Sequence, residues 1–384
     1  MEQNQLDAYR IFFPAGWLLS IWGVLLWILF PWNLVSYPGL YHPEIMMGGF
    51  FLCFVCGFLM TAVPRFTSTF GPSKMDQLLS FGVIGILFIS LVFTKKIYFY
   101  GAVLLCFSFL IYFSGRRFLV RKQNPPDSFI FVGVGLISAF FGVLILFLSE
   151  FMNVPTKFYG FGRGLFLQCY ILCLILGVGS RLIPALLGWG PLPNQPQKTS
   201  RNVMIFGGMA VLFVLSYFCE NVMGHILGAN VIRAVLVTII SLKFWKIYKL
   251  PHRRAMQTWG LWGSAWALVL SFWGLVFAPS FRIHILHIIY VSGMGLMTFM
   301  IAVRVVLSHG NHNMQIEKSS KLLGLGAFLL FLAGLTRFSA GIAPQIYQSH
   351  LLYAAVTWLA GSLLWGWMFL PKIFRVGPSH DRSA

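Results

Sequence analysis

Residues 42–67 read HPEIMMGGFFLCFVCGFLMTAVPRFT, and this stretch decides the fold. Between Glu44 and Arg65 no residue is charged, and Phe, Leu, Met, Val and Cys dominate. Such a run is a transmembrane helix: about 20 apolar residues rising about 1.5 Å each cross a hydrocarbon core ~30 Å thick. Pro43 suits the first helical turn and Glu44 suits the positive end of the helix dipole. Those two residues explain the helix start. They leave His42 unexplained.

Runs of this kind recur along all 384 residues. Twelve spans are expected, near 14–33, 44–64, 77–94, 97–114, 129–149, 164–187, 202–219, 225–243, 258–278, 284–307, 322–338 and 348–370. The chain is 58% hydrophobic and 10% charged, with a mean hydropathy of +0.80, so a soluble surface is excluded. The expectation is an all-α, polytopic helical bundle forming a single integral membrane domain over 1–384. The first residues are polar and carry both charge signs, so no signal-peptide pattern precedes the first span.

The net charge of +19 raises the question of nucleic acid, and its distribution answers it. With the N-terminus and every second loop on one side, 21 of the 28 Lys and Arg fall there, Lys198 and Arg382 among them. Six fall on the other side: Lys95, Lys96, Lys157, Arg163, Arg282 and Arg337. Arg233 lies within the eighth span. The positive-inside rule then places both termini in the cytoplasm, and basic loops facing anionic headgroups account for the charge without nucleic acid. The partner is the lipid bilayer.

A weak internal repeat is visible. The second, sixth and tenth spans end at Arg65, Arg181 and Arg304, separated by four spans each time. This suggests three four-helix units near 14–114, 129–243 and 258–370.

The candidate chemistry sits at the ends of those three spans. His284 and His287 are three apart at the start of the tenth span and share a face. By topology His42 lies at the same level, so the imidazoles could meet. Imidazole is a common ligand of haem iron and copper, and polar groups inside an apolar bundle point to function. The competing interpretation is interfacial histidines bound to headgroups. At the opposite ends, Arg65, Arg181 and Arg304 could hold carboxylates of a cofactor, or could snorkel to headgroups. His309 and His312 stand in an SHGNH loop there, which could bind metal or stay solvated. Cys53 with Cys56, and Cys169 with Cys173, are thiol pairs within spans, suited to Cu(I) or to packing. Glycines in GVGS (177–180) and SGMG (292–295) allow close helix approach or make room for a planar cofactor. No carboxylate sits clearly inside a span, which disfavours a carboxylate-based ion-coupled transporter.

Three stretches together resemble the NnrS family: residues 42–67 above, LILGVGSRLIPALLG (174–188) and LHIIYVSGMGLMTFMIAVRVVLSHGNH (286–312). YRIFFPAGWL (9–18) also fits. The family's second span opens H-x-H-E-M. Here it opens Tyr41-His42-Pro43-Glu44-Ile45, so Glu44 aligns, both family histidine positions are displaced or lost, and His42 stands in for them, shifted by one residue. His287, Gly293, Gly295, Arg304 and His309 match the tenth-span pattern, and Arg181 and Pro184 match the sixth. The resemblance implies a bacterial inner-membrane protein containing haem and copper. It also implies a part in nitric oxide metabolism, denitrification or protection against nitrosative stress. It makes His42 and His287 the expected haem ligands, with His284 an alternative. The three-unit plan is also similar to haem–copper oxidase core subunits, a likeness of architecture rather than function. A nitric oxide reductase-like redox enzyme and a cofactor-free transporter remain as alternatives.

Overall fold

The computed structural model of the chain describes residues 6–93, 95–190, 200–375 and 377. Lys198 and Arg382 lie outside the described residues. The long helices are α1 (Ala8–Trp32), α2 (His42–Phe66), α3 (Lys74–Ser90), α4 (Lys96–Leu119), α5 (Asp127–Leu148) and α6 (Thr156–Leu187). They continue with α7 (Arg201–Asn221), α8 (Ile226–Phe244), α9 (Met256–Phe277), α10 (Pro279–His309), α11 (Lys321–Ser339) and α12 (Pro344–Phe374). Each coincides with an expected span. Among the described residues, eleven are long and apolar enough to cross a membrane. The remaining one, α3, has 17 residues. At about 1.5 Å per residue it reaches roughly 26 Å, just short of the ~30 Å core. Its start is set by a capping box in which Ser73 and Asp76 exchange hydrogen bonds. Asp76 then pairs with Arg117 at 3.0 Å and ties α3 to the end of α4.

The helices form two shells. In order of contact α1, α3, α4, α5, α7, α8, α9, α11 and α12 make a closed ring, with α12 returning to α1. Inside it stand α2, α6 and α10. The apolar window of α2 is 89% buried and those of α6 and α10 are 61%, against 28% to 56% for the ring helices that span. This explains why α2 is apolar on every face: it meets protein all round rather than lipid on one side.

Glycine sets how close the inner helices come. A Cβ on Gly293 would stand 2.5 Å from Leu268 of α9, and one on Gly295 would stand 2.8 Å from Trp358 of α12. One on Gly179 would stand 2.8 Å from Trp245. These glycines therefore serve helix approach, not room for a planar group.

Arg233 lies within the eighth span, α8. It is 1% exposed, and one of its guanidinium nitrogens, Nη2, makes both of its side-chain hydrogen bonds. Its guanidinium pairs with Glu220 at the end of α7, donates to Asn230 Oδ1 at 2.7 Å, and lies over the Tyr217 ring at 4.5 Å. Arg282 at the start of α10 pairs with the other oxygen of Glu220.

The two faces are identified by contacts between helix ends. Arg10 donates to the Arg375 carbonyl at 3.4 Å, Tyr9 meets the His309 ring, and His312 Nε2 is 2.8 Å from the Lys372 carbonyl. These set the starts of α1 and the ends of α10 and α12 on one face, here called the basic face. The starts of α2, α10 and α12 lie on the other, the histidine face.

Candidate functional site

Three inner helices share a local irregularity. α2 is a π-helix over Ile45–Phe51, α6 over Leu165–Cys169 and α10 over Ile288–Gly295. A π segment adds a residue to the turn, turns the following side chains and loosens backbone carbonyls, and it often marks a functional site. The consequence is visible at Met47, whose carbonyl accepts a hydrogen bond from Tyr170 of α6. The three π segments surround a cavity of about 410 Å³ on the histidine face. That size is within the range of small-molecule and cofactor pockets, about 300–1,000 Å³.

Two of the three candidate histidines line this cavity, His42 from α2 and His287 from α10. They also lie within electrostatic reach of one another. His42 Nδ1 is 2.9 Å from the Gly23 carbonyl of α1, and His287 Nδ1 is 2.6 Å from the Ile283 carbonyl one turn earlier. A carbonyl only accepts, so each Nδ1 carries the proton. In the neutral ring each Nε2 then holds the lone pair. This is the arrangement by which an outer hydrogen bond orients a ligating imidazole.

His284 is bound differently. Its Nδ1 is 2.9 Å from Nη1 of Arg337, which only donates. Nδ1 therefore accepts, the proton of a neutral ring sits on Nε2, and no lone pair is left for a metal. Its ring packs against Gly341, where a Cβ would come within 2.5 Å. His284 thus steadies Arg337, whose other nitrogen donates to Tyr347 Oη at 3.4 Å.

The cavity wall is cationic. Arg163, Arg282 and Arg337 all line it, together with Gln168, Glu220 and Tyr290. Glu220 is shared by Arg282 and Arg233. Glu44, 4% exposed, takes Lys96 at 3.0 Å and Arg163 at 3.9 Å. Arg337, 7% exposed, is paired with no carboxylate among the described residues. In and behind the wall, five cations (Lys96, Arg163, Arg233, Arg282 and Arg337) face the two carboxylates of Glu44 and Glu220. The excess favours an anionic occupant.

The other candidates lie elsewhere. Arg65, Arg181 and Arg304 are at the basic-face ends of α2, α6 and α10. Arg65 is 23 residues along α2 from His42, roughly 35 Å at about 1.5 Å per residue. Arg304 pairs with Glu317 of the short helix Gln315–Ser319 at 2.6 Å. His309 is also at that end, against Tyr9. The SHGNH loop does not gather its histidines, since His312 is held by the Lys372 carbonyl. All four candidate cysteines are buried. Cys169 Sγ and Cys173 Sγ are 3.9 Å apart, while Cys53 and Cys56 lie within α2. Among the described residues, no three His, Cys, Asp or Glu side chains converge as a metal site.

The family model described as NnrS protein matches residues 6–376, nearly the whole chain. The chain belongs to the NnrS family. No curated protein matches it. NnrS membership accounts for the polytopic bundle and links the chain to the nitric oxide response. The matched region contains every residue of the cavity.

Sequence reasoning identified the two cavity histidines of this NnrS member but missed the arginines that accompany them. The signal was present in the charge count. The histidine face holds few cations, and three of its six, Arg163, Arg282 and Arg337, line the cavity. Charge scarce on one face is placed there for a reason other than headgroup contact.

Proposed function

We propose that the cavity holds a haem and that the protein acts on or through nitric oxide, in its metabolism or in protection against nitrosative stress. Family membership supports the nitric oxide link. The observation that carries the haem is the pairing of His42 and His287 across one cavity, each with Nδ1 tied to a carbonyl. The donor set fits the group. The Nε2 atoms of His42 and His287 would hold the iron, the guanidiniums of Arg163, Arg282 and Arg337 would hold its carboxylate side groups, and Val24, Leu286 and Trp358 provide apolar and aromatic wall. A bound haem would supply an iron that coordinates nitric oxide. The chain's own part is to orient the imidazoles, neutralise the carboxylates and keep bulk water from the iron. The displaced histidine of the second-span pattern is no obstacle to this reading, because His42 faces the cavity. The copper of the family would find soft donors at Cys169 and Cys173, whose sulfurs are adjacent and buried.

The test is an absorption spectrum of the protein purified in detergent from haem-replete cells, oxidised and reduced, with and without nitric oxide. A Soret band that shifts with nitric oxide is expected, and His42→Ala or His287→Ala should lower haem content while His284→Ala retains the ligands. A colourless protein would end the proposal, as would full haem content in both ligand variants. Metal analysis of Cys169→Ser/Cys173→Ser reports separately on copper.

A further inference from the structure

We infer that a second cavity, between α2, α6 and α10 on the basic-face side of the first, is a docking site for a small uncharged gas molecule, with Phe51 as the partition between the two. The second cavity has a volume of about 80 Å³. Phe51 lines both cavities. Its ring is 2% exposed and leans on Phe50, with centroids 4.5 Å apart. Phe51 is also the last residue of the α2 π segment, so the irregular turn that opens the first cavity aims this ring between them.

The chemistry of the wall selects the occupant. Phe54, Val55, Ile175, Met297 and Ile301 are typical of it, and among the described residues the one polar side chain is that of Thr298. A buried water needs two to four polar partners, which this wall does not offer. A polar or charged ligand would leave its groups unpaired. Protein interiors keep few voids larger than a water molecule. The space exceeds the ~10–15 Å³ that one water needs and is below the ~150 Å³ that suffices for benzene. A diatomic gas or a noble-gas atom fits both limits. Such molecules are uncharged and enter an apolar wall without losing strong hydration. The site therefore concentrates gas one side chain away from the histidine cavity. That the gas is nitric oxide rests on the proposed function, whereas the existence of the site does not.

Xenon-pressurised crystals of the full-length protein, read by anomalous diffraction, test this without any cofactor. One xenon peak is expected between α2, α6 and α10, on the far side of Phe51 from His42 and His287. Ala302→Leu and Val178→Phe fill the wall from different helices and should each abolish that peak. Phe51→Ala should join the cavities and spread the peak toward the histidines. An intact wild-type structure with no xenon in this space would overturn the inference, as would a lipid or detergent tail filling it. A xenon site in a colourless protein would leave this inference standing and remove only the haem.

Discussion

Glu220 should be indispensable to stability, whereas its buried partner Arg233 should not. Glu220 stands in the last turn of α7, and its side chain is 9% exposed. It bridges Arg233, 1% exposed, and Arg282, 34% exposed. Glu220→Ala would leave Arg233 with only the Asn230 oxygen at 2.7 Å and the Tyr217 ring at 4.5 Å. Removing one partner of a buried pair costs about 3–5 kcal/mol. The upper half of that range is expected, because Arg282 loses the same carboxylate and two guanidiniums then face each other. Arg233→Met removes the buried cation and fills its volume, while Glu220 keeps Arg282. Its cost should be below about 1 kcal/mol, since an apolar replacement of a buried ion is often neutral. The double variant should recover about 2–3 kcal/mol relative to the sum of the singles. Unfolding in mixed micelles of rising SDS fraction, followed by tryptophan fluorescence, gives all four corners of the cycle. Equal losses in the two single variants, or strict additivity in the double, would refute the electrostatic account of the α7–α8–α10 junction.

Gly48→Ala should destabilise by about 1–3 kcal/mol through overpacking, because its Cβ would meet Phe99 and Val103 at 2.9 Å and Phe166 at 3.0 Å. Gly82→Ala in α3 has nothing within 4 Å and should stabilise by up to about 1 kcal/mol, so thermal unfolding should move in opposite directions for the two. Burial raises the Glu317 carboxyl above its usual value, and the Arg304 guanidinium only partly offsets this. A folded-state value above the unfolded one means that this group's contribution is present below the unfolded value and is lost as pH rises through the folded one. Stability measured from pH 4 upward should therefore fall through that interval in the wild type and lose this step in Glu317→Gln; a step of opposite sign would contradict the burial argument. Arg337→Gln should weaken retention of the haem proposed for this cavity by about 1.5–3 kcal/mol, the worth of a hydrogen bond to a charged group. It should leave retention of the haem dimethyl ester unchanged, and equal losses for both would show that Arg337 does not meet a carboxylate.

The order and approximate limits of the long helices were legible in the sequence alone, although α3, expected as a twelfth span, is too short to cross. Apolar length is a local property, and a bilayer demands it of each helix separately. The stretch 42–67 and its counterparts met that demand without reference to one another. His42 and His287 could also be singled out, because uncommon polar residues stand out against an apolar background. Only the tertiary structure decided which polar groups meet. The choice between His284 and His287 rests on whether a ring nitrogen faces a carbonyl or a guanidinium, and Arg337 comes from a helix 53 residues beyond His284. Arg163, Arg282 and Arg337 lie in the histidine-face portions of three different helices, and the packing of α2, α6 and α10 inside the ring brings them to one cavity. Apolar composition says that a helix is inserted. Its rotation and its neighbours follow from where glycines permit close approach and where buried charges find partners, and those are properties of the assembled bundle.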